Sequence, residues 1–286
     1  MRVPWIAKQT SAALVRHCCP PRSPNTHKGD YGKILLICGA EGYTGAPYLA
    51  AQAALRTGAG LIFTCIPRSV YPIVASKLHA PMVFPLPDRE GKLSMKALPA
   101  LLERLKTADA CLIGPGLGRS EELEELVGQV LRHCSCPLVL DADGINAVAG
   151  HIDVVREAAC PVILTPHEGE FHRLTQEAEK DRISGAAALA RTLNAVVLRK
   201  GHETIITDGK TVYVNRTGNA GMATGGSGDV LAGILTALLG QGTKPLEAAA
   251  CAAWLHGTAG DLAARALGQY AMAPTDLIRQ LSRLLP

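Results

Sequence analysis

The chain has 286 residues, of which 48% are hydrophobic and 19% charged, so it is long enough to form a globular protein with a large core. Only 4% of the residues are aromatic, and the formal net charge of +4 is not gathered into a basic stripe, which argues against nucleic-acid binding. The N-terminus lacks the apolar core of a signal peptide, and no apolar run reaches about 20 residues. We therefore expect a cytoplasmic protein that does not span a membrane.

Short apolar runs alternate with helical patterns along the chain. The six predicted strands are almost entirely apolar, as expected for strands covered on both faces: Lys33–Cys38, Leu61–Ile66, Ala110–Ile113, Leu138–Leu140, Val162–Leu164 and Ala195–Leu198. Five helices are predicted among them: Ala46–Thr57, Met95–Lys106, Glu121–His133, Glu168–Leu174 and Ser184–Leu193. This alternation predicts an α/β protein with a doubly wound, mostly parallel sheet and helices on both faces.

The last third of the chain has a different pattern. The segments Thr204–Thr207 and Thr211–Val214 flank Asp208-Gly209-Lys210, which predicts a β-hairpin. Three further helices are predicted, at Asp229–Leu239, Leu246–Arg265 and Thr275–Leu284. We expect one domain over residues 27–286, preceded by an arm of residues 1–26 that is irregular or partly helical around Ile6–Val15.

Polar or glycine-rich segments follow five of the predicted strands directly. Ligands of open parallel sheets bind beyond the carboxyl ends of the strands, so we expect these segments to line one site. The first segment reads Gly-x-x-Gly-x-x-Gly, which lacks the dinucleotide fingerprint, and no P-loop motif occurs. The five segments begin at Gly39, Gly114, Asp141, Thr165 and Arg199.

The most informative segment is Gly225-Gly226-Ser227-Gly228-Asp229, where a glycine-rich loop enters an apolar helix. The unpaired N–H groups and the positive dipole end of a helix start suit a phosphate, and glycines let the backbone approach it closely. A carboxylate there can act as a base on a hydroxyl that meets the phosphate. The alternative is that Asp229 only caps the helix. A cap needs one polar residue and no glycines, so we favour an anion site.

Other polar residues at the strand ends have two interpretations each. Asp141 and Asp143 suit a cation shared with phosphates, and equally suit Asx turns and a helix cap. A helix start explains Pro166 and the acids after it, but leaves His167 as a candidate contact to a substrate. Lys200 is either a contact to a nucleotide phosphate or part of a solvated turn.

Metal ligands cannot be assigned from the sequence. The nine cysteines lack zinc-finger spacing. Several of them lie in apolar runs, which indicates small core residues in a protein of a reducing compartment.

His256 and Asp261 lie on an alanine-rich helix, where we expect packing or surface roles.

Together these segments resemble the ADP/ATP-dependent NAD(P)H-hydrate dehydratase family, a branch of the ribokinase-like superfamily. The similarity extends from His27 to about Leu285. It rests on ordered motifs: His27-Lys28-Gly29-Asp30-Tyr31-Gly32, Gly45-Ala46, Gly114-Pro115-Gly116-Leu117-Gly118, Leu140-Asp141-Ala142-Asp143-Gly144, Leu164-Thr165-Pro166-His167-Glu168-Gly169-Glu170, Lys200-Gly201 and Gly225-Gly226-Ser227-Gly228-Asp229.

The resemblance implies a repair reaction. Hydrated NADH or NADPH carries a hydroxyl at C6 of the reduced nicotinamide ring, and members of this family remove that water from the S epimer at the expense of a nucleotide, with Mg²⁺ as the implied metal. Bacterial stand-alone members look like users of ADP, which becomes AMP and phosphate, whereas eukaryotic members use ATP. This chain is similar to the bacterial members, so we expect ADP.

The resemblance also implies residue roles. Asp229 is expected to be the base toward the C6 hydroxyl, and the N–H groups of Gly226, Ser227 and Gly228 are expected to stabilise the phosphoryl oxygens. The positions that match hydrate contacts are Ala46, Gly118, His167 and Asp229. The positions that match nucleotide contacts are Lys200, Gly201, His202, Glu203, Thr204, Asn219, Gly225, Gly226, Ser227 and Gly228.

The implied partners are the hydrate, the nucleotide and an epimerase. Many relatives carry an N-terminal epimerase domain that interconverts the two hydrate epimers, and the arm before His27 is too short for it, so we expect a separate epimerase protein. The family often forms homotetramers, so we expect a homo-oligomer. Two alternatives remain open: a ribokinase-like kinase of a small vitamin-precursor alcohol, which would share Asp229, and a nucleotide-sensing subunit, which would not need to keep that base.

Overall fold

The protein is built around a large central sheet. A computed structural model describes residues 6–175 and 181–286. In this part of the chain the strands are β1 (Lys8–Gln9), β2 (Lys33–Ile37), β3 (Leu61–Pro67), β4 (Met82–Leu86), β5 (Asp88–Arg89), β6 (Lys92–Leu93), β7 (Ala110–Ile113), β8 (Leu138–Leu140), β9 (Val162–Leu164), β10 (Val196–Arg199), β11 (Thr204–Thr207) and β12 (Val212–Asn215).

Helices connect most of these strands. Over the same described ranges they are α1 (Ala12–Cys18), α2 (Gly45–Arg56), α3 (Tyr71–Ala75), α4 (Leu98–Leu105), α5 (Glu121–His133), α6 (Asp143–Val148), α7 (Asp153–Arg156), α8 (Glu168–Thr175), α9 (Arg182–Leu193), α10 (Ser227–Gly240), α11 (Pro245–Leu267) and α12 (Pro274–Gln280). None of them is long and apolar enough to cross a membrane.

The main sheet has ten strands in the order β1-β12-β11-β10-β9-β8-β7-β2-β3-β4. Neighbouring strands are parallel except at β10–β11 and β11–β12, and the β11–β12 pair is the predicted hairpin. Along β2, Ile34 and Leu36 enter one hydrophobic core, while Leu35 and Ile37 enter the other. Helices α1–α3 and α10–α12 cover the first core, and α4–α9 cover the second. The predicted doubly wound, mostly parallel sheet is therefore confirmed.

The two edge strands were not predicted. The arm before residue 27 contributes β1, which pairs with β12 in parallel, and α1, which buries Val15 and Cys18 against the first core. At the other edge, β4 contains Pro85, which has no N–H to donate and is tolerated in edge strands. Both strands depend on long-range pairing, which local periodicity does not report. The nine cysteines are all free and buried, as the apolar runs around several of them indicated.

Close packing between α10, α2 and β2 depends on glycines. A Cβ added at Gly233 of α10 would lie 2.2 Å from the carbonyl oxygen of Ala50 in α2. A Cβ at Gly240, near the end of α10, would lie 2.5 Å from the Ile34 side chain. Helix α10 therefore lies directly against the backbone of α2 and the side chains of β2, and this contact fixes where α10 begins.

Gly233→Ala is expected to lower the free energy of unfolding by about 1–3 kcal/mol, because the rigid Ala50 carbonyl must move to admit the methyl group. Urea denaturation followed by circular dichroism measures this change. Gly150→Ala is the matched control, since a Cβ there meets no atom within 4 Å. The control should change stability by no more than about 0.5 kcal/mol. Equal stability of the two variants would contradict the packing account.

Candidate active site

The five predicted segments meet at one edge of the sheet. Strands β10, β9, β8, β7 and β2 are consecutive neighbours, so the segments after them lie side by side. Backbone hydrogen bonds join them, from Gly39 N to Pro115 O at 2.9 Å and from Lys200 N to Pro166 O at 2.8 Å. On the β2 side, the buried Ala46 lies in the first turn of α2, and its Cβ lies 3.0 Å from the Cβ position of Gly116.

Helix α10 begins at this edge, two residues earlier than predicted. Gly226 is its N-cap with a φ of +99°, a left-handed conformation that favours glycine, and Ser227 is its first residue. Asp229 is therefore the third residue of the helix, and no side chain makes a capping hydrogen bond. The alternative in which Asp229 caps the helix is wrong.

The first turn of α10 offers unpaired backbone donors. Within the described residues, the N–H groups of Gly228 and Asp229 make no backbone hydrogen bond, as expected for the start of a helix. The Ser227 N–H makes only a long bond of 3.3 Å to Thr224 O. Gly225 is exposed and Gly226 half-buried, so an anion can reach this turn.

The Asp229 carboxyl has an unusual electrostatic environment. Burial raises its pKa to about 7, the nearby Asp141 and Asp143 carboxylates add to the rise, and Lys200 opposes it. Among the residues that the structure describes, no group forms a hydrogen bond or an ion pair with this carboxyl. A half-buried carboxyl with a pKa near neutrality can accept a proton from a ligand and release it again.

Lys200 lies at the centre of a buried polar network. Its Nζ is 2.9 Å from Asp141 Oδ1 and 3.8 Å from Glu170 Oε2, and Thr165 Oγ1 donates to the same Asp141 oxygen at 2.6 Å. Burial opposes the charge on Lys200, but Asp141 and Glu170 together outweigh it and raise the lysine's pKa. The same Nζ lies 3.6 Å from the Cβ position of Gly228. Lys200 thus faces the start of α10 and is not solvated, whereas Gly201, His202 and Glu203 after it are exposed, as the alternative of a solvated turn predicts.

Gly118 and Asp143 meet on the other side of the site. The Gly118 N–H donates to Asp143 Oδ2 at 2.9 Å, and Asn146 Nδ2 donates to Asp143 Oδ1 at 3.2 Å. Asp141 and Asp143 are therefore both engaged with protein groups. Across the described ranges, no three His, Cys, Asp or Glu side chains are placed to hold a metal ion together.

His167 combines a structural role with an exposed ring. Its N–H donates to Glu170 Oε2 at 2.9 Å, and the Glu170 N–H donates to His167 Nδ1 at 3.3 Å, a reciprocal cap at the start of α8. The side chain is still 55% exposed. A helix start therefore explains its position, and its ring remains accessible to a ligand.

The loop between β10 and β11 is held by Arg182, a residue that the sequence analysis missed. Its guanidinium donates to Lys200 O at 3.2 Å, His202 O at 2.7 Å and Glu203 O at 3.2 Å. Its Nε donates to Glu168 Oε1 at 2.7 Å. Arg182 precedes the loop by about 20 residues, and no motif marks it, so local patterns carried no signal for this contact.

Two further interactions shape the predicted nucleotide-contact residues. Thr204 Oγ1 donates to Gly201 O at 3.1 Å, which closes the loop after β10. Asp261 of α11 accepts from Gly218 N and from Asn219 Nδ2, both at 3.0 Å, and so fixes the start of the glycine-rich segment. The expectation of a packing or surface role for Asp261 was therefore incomplete. His256 does pack, and burial lowers its pKa to about 4.

The fold and this edge of the sheet define the protein's class. A ribokinase-like superfamily protein from Enterococcus faecalis is 26% identical with a TM-score of 0.84, and the match covers 99% of this chain and 97% of that one. The hydroxyethylthiazole kinase of Pyrococcus horikoshii, at 19% identity and a TM-score of 0.59, shares the fold over 83% of this chain and 94% of its own. The chain is a ribokinase-like protein.

The family is narrower than the class. The model of the NAD(P)H-hydrate dehydratase family matches residues 34–283, and the chain belongs to this family. The bifunctional NAD(P)H-hydrate repair enzyme Nnr of Moorella thermoacetica is 47% identical over 282 residues, which are 96% of this chain and 53% of that protein. The ADP/ATP-dependent NAD(P)H-hydrate dehydratase of Bacillus subtilis, co-crystallised with ATP and Mg²⁺, is 29% identical with a TM-score of 0.82 over 98% of both chains. This chain spans about half the length of the curated relatives it matches.

Arg182→Ala is expected to increase amide hydrogen exchange in residues 200–204, because three carbonyls of the loop lose their charged donor. Exchange measured by mass spectrometry reports this change peptide by peptide. Arg191→Ala is the matched control, because Arg191 Nη1 donates to Gly209 O at 3.0 Å in the hairpin turn. Unchanged exchange in residues 200–204 of Arg182→Ala would show that the loop is ordered without the Arg182 hydrogen bonds.

Proposed function

We propose that this chain dehydrates the S epimer of hydrated NADH or NADPH, using ADP and producing AMP and phosphate. The family assignment supports the reaction class. The single observation that carries the mechanism is the Asp229 carboxyl in the first turn of α10, which has a pKa of about 7 and, like the N–H groups beside it, has no partner among the described residues.

Asp229 is the base in this proposal. The C6 hydroxyl oxygen attacks the terminal phosphorus of ADP and gives its proton to the Asp229 carboxylate. The bond from that phosphorus to the bridging oxygen breaks, and AMP leaves. Phosphate is a better leaving group than hydroxide, so the lone pair of the ring nitrogen expels it from C6. Solvent water then accepts a proton from C5, which restores the C=C bond.

The start of α10 is the anion hole of the proposed reaction. The N–H groups of Gly226, Ser227 and Gly228 stabilise the oxygens of the phosphoryl group as it transfers. The long bond from Ser227 N to Thr224 O is weak enough for a phosphate oxygen to replace. The Lys200 ammonium, beside the Gly228 Cβ position, adds positive charge to the same place.

The other predicted residues position the two ligands. Ala46, Gly118 and His167 contact the hydrated dinucleotide along the strand ends from β2 to β9. The nucleotide lies along two segments. The segment held by Arg182 consists of Lys200, Gly201, His202, Glu203 and Thr204. The segment held by Asp261 contributes Asn219, Gly225, Gly226, Ser227 and Gly228.

Mg²⁺ would be bound together with the nucleotide in this proposal. Asp141 and Asp143 are carboxylates that raise the pKa of Asp229, and both already accept hydrogen bonds from protein groups, so they would hold an ion only together with phosphates and water. Bound Mg²⁺ supplies positive charge to the phosphoryl group that transfers.

An epimerase acts alongside this chain in the proposal, because the dehydration serves only one epimer. The relatives named bifunctional repair enzymes are about twice as long as this chain, so a second activity in those relatives has room outside the part that matches this chain. We further propose a homo-oligomer, a tetramer by resemblance, in the cytoplasm, and the nine free thiols suit such a reducing compartment.

The proposed reaction is tested by the near-ultraviolet absorbance of the reduced nicotinamide ring, which returns when the hydrate is dehydrated. We expect a rise with purified S hydrate, Mg²⁺ and ADP, a slower rise with ATP, and none without nucleotide. A faster rate with ATP would overturn the assignment of ADP as the phosphoryl donor. No rise with either nucleotide, although both bind, would overturn the proposed function.

Asp229→Asn is expected to reduce kcat by about 10²–10⁴-fold, because the amide cannot accept the proton. Binding of ADP, measured by calorimetry, should change little, because the backbone donors remain. Asp153→Asn is the matched control, since its carboxylate is 71% exposed and pairs only with Arg156 among the described residues. Full activity of Asp229→Asn would exclude Asp229 as the base.

The pH dependence follows from the raised pKa of Asp229. Only the carboxylate form accepts a proton, so kcat/KM should be low in acid, rise through a midpoint of about 7 and level off above it. Steady-state rates in buffers of constant ionic strength measure the profile. A midpoint near the ordinary carboxyl value of about 4 would contradict the assignment.

A further inference from the structure

A small cavity adjoins the proposed dinucleotide site. Its volume is about 150 Å³, and it lies between the segment after β7 and helix α8. Gly118, Arg119, Asn146 and Arg173 are among its lining residues. One of its lining residues, Gly118, is therefore also a proposed contact of the hydrate.

Arg173 connects this cavity to His167. Its Nε donates to Asn146 Oδ1 at 2.9 Å, which anchors the guanidinium on one side. Its Nη1 lies 3.7 Å from the Cβ position of Gly169, and the His167 ring lies 3.0 Å from the same point. The guanidinium thus spans the space between the cavity and the exposed His167 ring.

Arg119 supplies a second guanidinium to the lining of the cavity. It is 67% exposed, and its only ion pair within the described ranges is a loose one, 3.7 Å from Nε to Asp143 Oδ1. Lys92 adds a third cation, since its Nζ donates to Arg119 O at 3.2 Å and its side chain packs over Gly118.

The lining of the cavity also contains two acidic residues, Asp143 and Glu124. Asp143 is already bound to Gly118 N and to Asn146, and Glu124 is the other acid in the lining. No carboxylate in the described part of the chain forms an ion pair with Arg173. Two arginines that keep donor capacity among the described residues thus line the same small cavity, an arrangement that suits a phosphate because a guanidinium binds phosphate oxygens in pairs.

We propose that this cavity binds a phosphate group of the dinucleotide, with Arg119 and Arg173 as its ligands. The inference rests on the proposed function, because it assumes that the dinucleotide runs along Gly118 and His167. The phosphate group is either the pyrophosphate that every such dinucleotide contains or the 2′-phosphate that distinguishes NADPH from NADH.

The test measures binding of NADH and NADPH by fluorescence titration, which needs no turnover. The variants are Arg119→Ala and Arg173→Ala, and the matched control is Arg132→Ala, a half-exposed arginine on α5 with an ion pair at 3.9 Å to Glu125. All three side chains are exposed enough that folding should survive, and calorimetry with ADP verifies that the nucleotide site is intact.

Each cavity variant is expected to weaken dinucleotide binding about tenfold or more, because a charge-assisted contact is lost. Weaker binding of NADPH alone assigns the cavity to the 2′-phosphate, and equally weaker binding of both dinucleotides assigns it to the pyrophosphate. Unchanged Kd values in both variants would overturn the proposal, as would failure of the unaltered protein to bind either dinucleotide. Arginine-dependent binding without dehydration of any hydrate would support the cavity site and overturn the proposed function instead.

Discussion

The contact between α10 and its neighbours α2 and β2 is the constraint on which the site depends. Gly233 and Gly240 let α10 lie against Ala50 and Ile34 without intervening side chains. The start of α10 is thereby fixed at the carboxyl ends of the parallel strands, beside the segments that follow β2, β7, β8 and β9. A helix displaced by even one side chain would move its free N–H groups and Asp229 away from Lys200.

Burial then gives this position its chemistry. The same packing that fixes α10 removes water from around Asp229, and that desolvation is the largest cause of its raised pKa. Asp141 acts in two ways, since it repels the Asp229 carboxylate and pairs with Lys200. The site thus holds a carboxyl with a pKa near neutral pH and a lysine that stays charged. Both are suited to moving a proton from a hydroxyl while a phosphoryl group arrives.

The sequence predicted what local patterns encode. Periodicity located the six central strands and most helices, because each buries a continuous apolar face, and the glycine-rich segment marked the start of α10 to within two residues. The edge strands β1 and β4 escaped because their pairing is long-range and Pro85 interrupts one of them. Arg182 and Asp261 escaped for the same reason, since each acts on a segment about 20 or 40 residues away. Lys200 pairs with Asp141, 59 residues earlier in the chain, and only the tertiary structure shows this contact.

The central claim is that Asp229 activates the C6 hydroxyl for attack on a phosphoryl group. It is tested most directly by following the hydroxyl oxygen, labelled with a heavy isotope, through a single turnover with ADP. If the hydroxyl is phosphorylated first, the label leaves C6 as part of inorganic phosphate, which mass spectrometry detects. If the label appears in water and the phosphate stays unlabelled, the hydroxyl was expelled directly, and the proposed role of Asp229 is wrong.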